Sequence, residues 1–285
     1  MRPPRAVLLL SCPDARGIVR SVAEFVERHN GNIVDAEQHT DIASGVFFQR
    51  VEFDLDGFDL DRREILPAFD SVRERFAMDV AVKFTDERLR IALLASKQGH
   101  CLHDLLVRWK AGEIDADVRA VIANHPDHAD FCRFVGVAHH HLPVTPGHRA
   151  EQEAQVRAVL EAEQVDLVVL ARYMQILSPE LCAAYPNRII NIHHSFLPAF
   201  VGAKPYHQAY ERGVKLIGVT AHYVTADLDQ GPIIEQDVAR ASHRDGADDL
   251  VRRGRDLETI VLARAVRAHL EHRVLVYGAK TVVFG

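Results

Sequence analysis

A polar run, Thr85-Asp86-Glu87-Arg88, separates two stretches whose apolar residues repeat in different ways, and this change of pattern constrains the fold more than any other feature. Before the run, residues 6–11 are a continuous apolar strand, and 17–30 place Ile18, Val22, Phe25 and Val26 on one helical face. Gly31 stops that helix, strands at 33–41 and 45–54 follow across Ala43-Ser44-Gly45, and a helix at 61–76 leads to a strand at 79–85. That order, βαββαβ, is ferredoxin-like. After the run, strands at 89–95, 118–124, 135–138, 166–170, 188–192 and 216–224 alternate with amphipathic helices such as 151–163. Alternation of this kind builds βαβ units and a doubly wound, mostly parallel, Rossmann-like sheet. A helix at 248–271 and a strand at 274–277 end the pattern. The expectation is an α/β protein with a domain at 1–84, a linker at 85–88 and a second domain at 89–285, since 285 residues exceed one compact domain.

Composition narrows the function classes. A net charge of −6 gives no whole-molecule attraction to nucleic acid. No apolar segment approaches the roughly 18 residues that span a bilayer, and the run Val7 to Cys12 is shorter than a secretory core and meets Pro13-Asp14 directly. A cytoplasmic protein with no nucleic-acid or membrane partner is expected. Cys12, Cys101, Cys132 and Cys182 are scattered with no C-x-x-C pair, which gives neither a disulfide framework nor a thiolate zinc site.

The strongest chemical constellation lies in two strand ends. Strand alternation turns Asn191 and His193 to the same side at the carboxyl end of their strand, where open α/β sheets place ligands. A second cluster follows the strand at 216–224, with His222 in it and Asp229 just before Gly231-Pro232. Amide, imidazole and carboxylate are what transfer of a carbonyl-derived group requires: an oxyanion donor, a proton carrier and a group that orients it. A metal hydrolase is the rival, because His139-His140-His141 and His193-His194 are rich in imidazole. Successive strand residues face opposite ways, so three consecutive histidines cannot reach one ion, and no H-E-x-x-H occurs.

The segment Asn-Ile-His-His-Ser-Phe-Leu-Pro-Ala-Phe at 191–200, followed by His222 and by Val-Thr-Ala-Asp-Leu-Asp-Gln-Gly-Pro at 224–232, resembles the folate-dependent formyltransferase superfamily. The resemblance implies that Asn191 donates to the formyl oxygen, that His193 assists proton transfer, and that Asp229 controls the histidine and the attacking group. Residues 170–179 resemble the superfamily's pterin-binding loop, which implies substrate contacts from Arg172, Tyr173, Met174, Gln175, Ile176 and Leu177, with His222 and Val224 beside them. Read without the resemblance, the same segment is a core-packing strand end before a Ser-Pro helix start.

Within the superfamily the whole chain is similar to the formyltetrahydrofolate deformylases, through Ser96-Lys97, His100-Cys101-Leu102, Gly202-Ala203-Lys204-Pro205-Tyr206 and Val274 to Gly278. A transferase acting on a phosphorylated amine would carry a glycine-rich loop where 95–102 holds only Gly99. A transferase acting on tRNA would carry a basic extension, whereas the chain ends soon after Tyr277. The resemblance implies hydrolysis of formyltetrahydrofolate to tetrahydrofolate and formate, serving one-carbon and purine metabolism, with the folate as substrate and no metal or redox cofactor. Gln230 stands where relatives often have an acidic residue. The first 84 residues look like an ACT domain, which implies a homo-oligomer and an amino-acid effector held near Asp14, Gly17, Gly31 and Asn32. The competing readings are formyl transfer to an amine and a non-catalytic amino-acid or folate sensor.

Overall fold

A computed structural model of the chain describes residues 3–198 and 205–285. Ala199, Phe200, Gly202, Ala203 and Lys204 of the sequence signatures lie outside the described residues.

The first 88 residues contain β1 (Arg5–Pro13), α1 (Ile18–Arg28), β2 (Ile33–Asp41), β3 (Val46–Asp54), α2 (Arg62–Phe76) and β4 (Asp79–Phe84). The sheet order is β2-β3-β1-β4, and every pairing is antiparallel, as the ferredoxin-like order demands. β1 is apolar without a break because both of its faces are covered. Ala6, Leu8, Leu10 and Cys12 join Ile18, Val22, Phe25, Ile65 and Phe69 of the two helices in one core. Val7 and Leu9 face the other way and pack with Phe48, Leu275, Tyr277, Val282 and Phe284.

That second face changes the expected domain limits. The first compact unit is residues 1–88 together with 271–277 and 282–285, and the second is 89–270 with 278–281. The chain's last residues, assigned by sequence to the 89–285 domain, therefore supply the apolar cover for the outer face of β1. The helix end at Gly31 also differs in cause from the expectation. Asn30 takes the left-handed backbone, φ 59°, and Gly31 is demanded by space, because a Cβ there would lie 2.6 Å from Val26 and 2.9 Å from Phe58.

The second unit contains β5 (Arg90–Ala95), α3 (His100–Lys110), β6 (Asp117–Ala123), α4 (Ala129–Val135), β7 (Ala138–His141), α5 (Arg149–Ala162), β8 (Leu167–Leu170), α6 (Pro179–Ala184), β9 (Ile189–His193), α7 (Pro205–Glu211), β10 (Leu216–Tyr223), β11 (Ile233–Arg240) and α8 (Ala247–Leu270). A hairpin of β12 (Val274–Tyr277) and β13 (Lys280–Val283) ends the chain. The described residues of the second unit form a seven-stranded sheet in the order β11-β10-β9-β8-β5-β6-β7. β9, β8, β5, β6 and β7 run parallel, whereas β10 and β11 are antiparallel additions at one edge. The strand order reverses beside β5, so the carboxyl ends of β5, β8 and β9 border the crevice where such sheets bind ligands.

The strand expected at 135–138 is displaced. Helix α4 runs to Val135, Gly136 turns left-handed at φ 75°, and the amides of Gly136 and Val137 donate back to Arg133 and Cys132 at 3.2 and 2.9 Å. This glycine cap delays the strand to Ala138 and puts the three histidines inside β7.

Candidate active site

The carboxyl end of β9 presents Asn191 and His193 on one side, and β10 lies antiparallel to it with His222 directly opposite Asn191. The His222 Nδ1 donates to the carbonyl of Tyr223 at 2.9 Å, so in the neutral ring Nε2 is the acceptor. The Asn191 Nδ2 meets that nitrogen at 3.3 Å, which fixes the amide and leaves its second N–H for another partner.

Asp229 reaches the same place from the loop after β10. The loop folds back because the Tyr223 amide donates to Pro232 O at 2.9 Å and Gly231 passes so close that a Cβ would lie 1.7 Å from the Tyr223 carbonyl oxygen. Asp229 itself is left-handed at φ 56°, a strained setting for a residue with a side chain. Its Oδ1 lies 3.3 Å from His193 Nδ1 and 3.7 Å from His222 Nε2. Hydrogen bonding with His193, and the nearby His222 after it, hold the Asp229 carboxyl well below the usual carboxylate range, against the opposing effect of burial. With Nδ1 turned to the carboxylate, the buried Nε2 of His193 is left with no hydrogen-bond partner among the described residues.

The three groups open on a cavity of about 730 Å³, a size suited to a small molecule. The loop after β8 supplies much of its wall. Arg172, Tyr173, Met174, Gln175 and Ile176 line it, as do His222 and Val224, whereas Leu177 does not. Leu177 is buried in the core with Leu170, Leu181 and Tyr185. Tyr173 does both, since its ring is in that core and its hydroxyl accepts from Gln152 Nε2 at 3.0 Å. Met174 and Ile176, 57% and 53% exposed, give the cavity wall an apolar surface. Along this segment 172–176 line the cavity, and Ser178 then caps α6 by accepting from the Leu181 amide at 3.1 Å.

Several lining groups were not singled out from the sequence. Glu258 of α8 is 1% exposed, accepts from His100 and Tyr206 at 2.7 and 2.8 Å, and lies 3.4 Å from Arg172 Nε. Its signal was a charge inside an apolar stripe, for Leu250, Gly254, Glu258, Val261, Leu262, Ala265 and Val266 share the buried face of α8. Gly254 belongs to the same device: a Cβ there would stand 2.1 Å from the Tyr206 ring. His194 also lines the cavity, and burial, helped by Arg172, pushes its imidazole down to about 4.

Metal-ligand spacing occurs among the described residues in His100, Cys101 and Glu258. His139, His140 and His141 are not such a group. The first set is poorly suited to a cation, because the Arg172 guanidinium already faces Glu258 and burial raises the Cys101 thiol well above its ordinary range.

In the first unit, Asp14 is exposed and its amide donates to Gly45 O at 2.8 Å, Gly17 precedes α1 with φ 94°, and Asn32 Nδ2 donates to Asp54 at 3.2 Å. Asp14 does not cap α1, whose N-cap is Gly17. The pair Asp14 and Gly17 and the pair Gly31 and Asn32 lie at opposite ends of that helix, whose 11 residues span about 16 Å.

An α/β sheet with amide, imidazole and carboxylate at its switch point defines a class, and residues 89–266 match the formyl transferase family, to which the chain belongs. Solved glycinamide ribonucleotide transformylase 1 from Symbiobacterium toebii is 35% identical, with a TM-score of 0.67 over 71% of this chain and 97% of its own. Similarity over the full length points further. The formyltetrahydrofolate deformylase of Synechocystis sp. is 54% identical over 98% of each chain. The crystal structure of a formyltetrahydrofolate deformylase from Pseudomonas syringae pv. tomato is 50% identical with a TM-score of 0.97, covering 99% of this chain and 95% of that one. The chain belongs to the formyltetrahydrofolate deformylase family.

Proposed function

We propose that this protein hydrolyses formyltetrahydrofolate to tetrahydrofolate and formate, serving one-carbon and purine metabolism. The observation that carries the reading is the meeting of Asn191, His193 and Asp229 at one cavity in a chain whose relatives share its full length. The uncommitted N–H of Asn191 donates to the formyl oxygen and stabilises the charge that develops there. His193 Nε2 takes the proton of the attacking water, while Asp229 on Nδ1 sets the tautomer and stabilises the imidazolium. The water oxygen bonds to the formyl carbon, the C–N bond breaks, and the proton passes to the folate nitrogen. Met174, Ile176 and Val224 support an apolar wall for the pterin ring.

Formate release from formyltetrahydrofolate by the purified protein, abolished in His193→Ala and unaffected by added amines, is the expected result. Formyl transfer to an amine, or folate binding without turnover, overturns the reading. The reaction as written runs on amide, imidazole and carboxylate, so prolonged chelation leaves the rate unchanged; loss of activity restored by zinc would sink that part.

The first unit acts as an ACT-like regulatory domain of a cytoplasmic homo-oligomer. Its sheet order supports this, and so does the separation of Asp14 and Gly17 from Gly31 and Asn32, since one effector touching both sets needs two copies of the chain. An amino-acid titration of formate release, with oligomer mass followed in parallel, tests it, and Asp14→Ala removes the response. A truncation beginning at Arg88 is the poorer test, because it strips the cover from Leu275 and Tyr277.

A further inference from the structure

His194 lines the cavity beside His193, and the mechanism above leaves it without a task. Its position is unusual. Successive residues of an extended strand face opposite ways, yet the rings of His193 and His194 are stacked, with centroids 5.3 Å apart and planes 25° from parallel. The chain therefore has to leave the strand directly after His193.

The two antiparallel edge strands make it leave. His193 is the last residue of β9 and lies opposite Thr220 of β10. Two residues on, the Ser195 carbonyl accepts from Thr220 Oγ1 at 2.9 Å, and the Leu197 amide donates to the same oxygen at 3.0 Å. A side-chain hydroxyl thus satisfies backbone groups where the strand ladder stops. Gln236 of β11 donates to both Thr220 Oγ1 and the Leu197 carbonyl, at 2.8 and 3.2 Å. Thr220 is fully buried, and Gly218 omits a Cβ that would lie 2.7 Å from Phe196. A second ring holds His194 itself: Tyr206 lies against it with centroids 6.2 Å apart, and the Tyr206 hydroxyl is anchored on Glu258 at 2.8 Å. Glu258 is fixed in turn by His100 at 2.7 Å.

His193 needs such a neighbour. Asp229 touches it at Nδ1 alone, at 3.3 Å, and Nε2 has no hydrogen-bond partner among the described residues. One contact at one nitrogen leaves the plane of the ring free to swing, whereas a stacked ring fixes it. We infer that His194 is a positioning residue for hydrolysis: its flat ring, placed by the Thr220 clamp and braced by Tyr206, holds the His193 imidazole so that Nδ1 stays on Asp229 while Nε2 meets the water. The inference rests on the hydrolytic reading, in which His193 is the base. Burial, helped by Arg172, pushes His194 down to about 4, so the ring is uncharged at neutral pH. That suits the task, because His193 becomes an imidazolium while it carries the proton, and a charged neighbour at this distance would repel it.

Formate release by the full chain, with kcat and KM measured separately and unfolding followed in parallel, tests the inference. His194→Leu fills a similar volume without a flat ring and lowers kcat about tenfold, with KM changed less than about threefold. His194→Phe restores the flat face and brings kcat back to within about threefold of wild type. In an Asp229→Asn background, where the bond that the stack protects is already weakened, His194→Leu costs less than about threefold. Wild-type kcat in His194→Leu overturns the inference. So does a loss carried by KM alone, a phenylalanine no better than leucine, or the same tenfold loss in both backgrounds. If His194→Leu does not fold, Thr220→Val carries the decision, because Thr220 is not among the cavity-lining residues and the variant loses only the clamping hydroxyl. Its kcat falls about threefold or more with KM unchanged, and wild-type kcat overturns the inference. A wild-type protein that releases no formate from formyltetrahydrofolate refutes the hydrolytic reading instead, and the two failures are distinct.

Discussion

Two buried arginines show how differently the two units treat charge. Arg50 of β3 is closed on all sides: Nη1 donates to Asp35 at 2.7 Å, Nη2 to Glu52 at 2.6 Å and Nε to the carbonyl of His272 at 3.2 Å. Glu52 in turn takes Arg5 at 3.0 Å, and these partners together keep its carboxyl below the ordinary range although burial opposes them. Arg172 is comparably buried, but only Nη2 is bonded, to Gln98 at 3.2 Å, while Nε and Nη1 have no hydrogen-bond partner among the described residues and Glu258 stands 3.4 Å from Nε. His193 Nε2 is likewise unpartnered among the described residues, as are buried atoms of His103, Asn124, His128, His139, His140 and Arg267 in the same unit and Gln49 Oε1 in the first. Most buried polar groups are closed by their neighbours, because an unmet buried donor weakens the native state. A polar group that serves a reaction has to keep one atom for the substrate.

The largest expected effect separates the two kinds of group. Asp229→Asn lowers turnover by about two to four orders of magnitude with a smaller change in folate binding, because the imidazole loses its charged partner. Arg50→Met does the opposite, destabilising the first unit by about 2–4 kcal/mol with turnover changed little. Formate release and hydrogen exchange over residues 46–54 measure both. Near-wild-type turnover in Asp229→Asn would reassign Asp229 to the turn and remove the contrast.

Glu258 sharpens the comparison, because it is a closed group that holds an open one. Glu258→Leu leaves the buried Arg172 without a counter-charge and should cost about 3–5 kcal/mol. Trp109 of α3 is the chain's single tryptophan and reports the second unit in a denaturant titration. A loss below about 1 kcal/mol would show that Arg172 is neutralised elsewhere.

How much of this was legible in the sequence follows from the same physics. Asn191 and His193 could be paired from strand alternation alone, and the Gly231-Pro232 turn marked Asp229, because these features are local. The partnership of Glu258 with His100 was not legible. A charge at a buried helix position announces that it has a partner, but the partner is 158 residues away and no local rule selects it. β11 escaped because Ile-Ile-Glu-Gln-Asp-Val-Ala-Arg is an edge strand with one fully buried residue and little periodicity. The strand at 274–277 was legible, but β13 and the hairpin's role escaped, because the hairpin covers the outer face of β1 and only the unbroken apolar run of β1 hinted that such a cover was needed.

Two glycines give a smaller contrast of the same sort. Gly254→Ala forces the Tyr206 ring away from α8 and weakens its bond to Glu258, so a loss of about 1–3 kcal/mol outweighs the better helix propensity of alanine. Gly17→Ala meets open space, and only the left-handed backbone resists it, at about 1–2 kcal/mol. Chemical denaturation of each variant ranks them, and formate release should fall only in the first. Equal effects on activity would deny that the Tyr206–Glu258 contact supports the site.

The smallest expected effect is a pH dependence to which a buried histidine in each unit contributes, His194 in the second, where His103 and His139 are also lowered by burial, and His272 in the first. Burial pushes His194 down to about 4, with Arg172 and His193 adding to the shift and Glu258 and Asp229 opposing it. Burial also pushes His272 down to about 4, with Lys83 and Arg50 adding. In both cases the folded protein refuses a proton that the unfolded chain accepts once the pH falls below the ordinary histidine value of about 6.5. Between that value and about 4 the unfolded state therefore binds more protons, so stability falls as the pH is lowered. Each histidine should cost about 1 kcal/mol between pH 7 and pH 5.5. His194→Gln and His272→Gln each remove one share, read as a flatter dependence of unfolding free energy on pH, and hydrogen exchange assigns the share to the second or the first unit. If His194→Gln leaves the slope over the second unit unchanged, His194 takes up its proton in the folded state, and the cavity wall beside Arg172 is wetter and less buried than the distances around Glu258 imply.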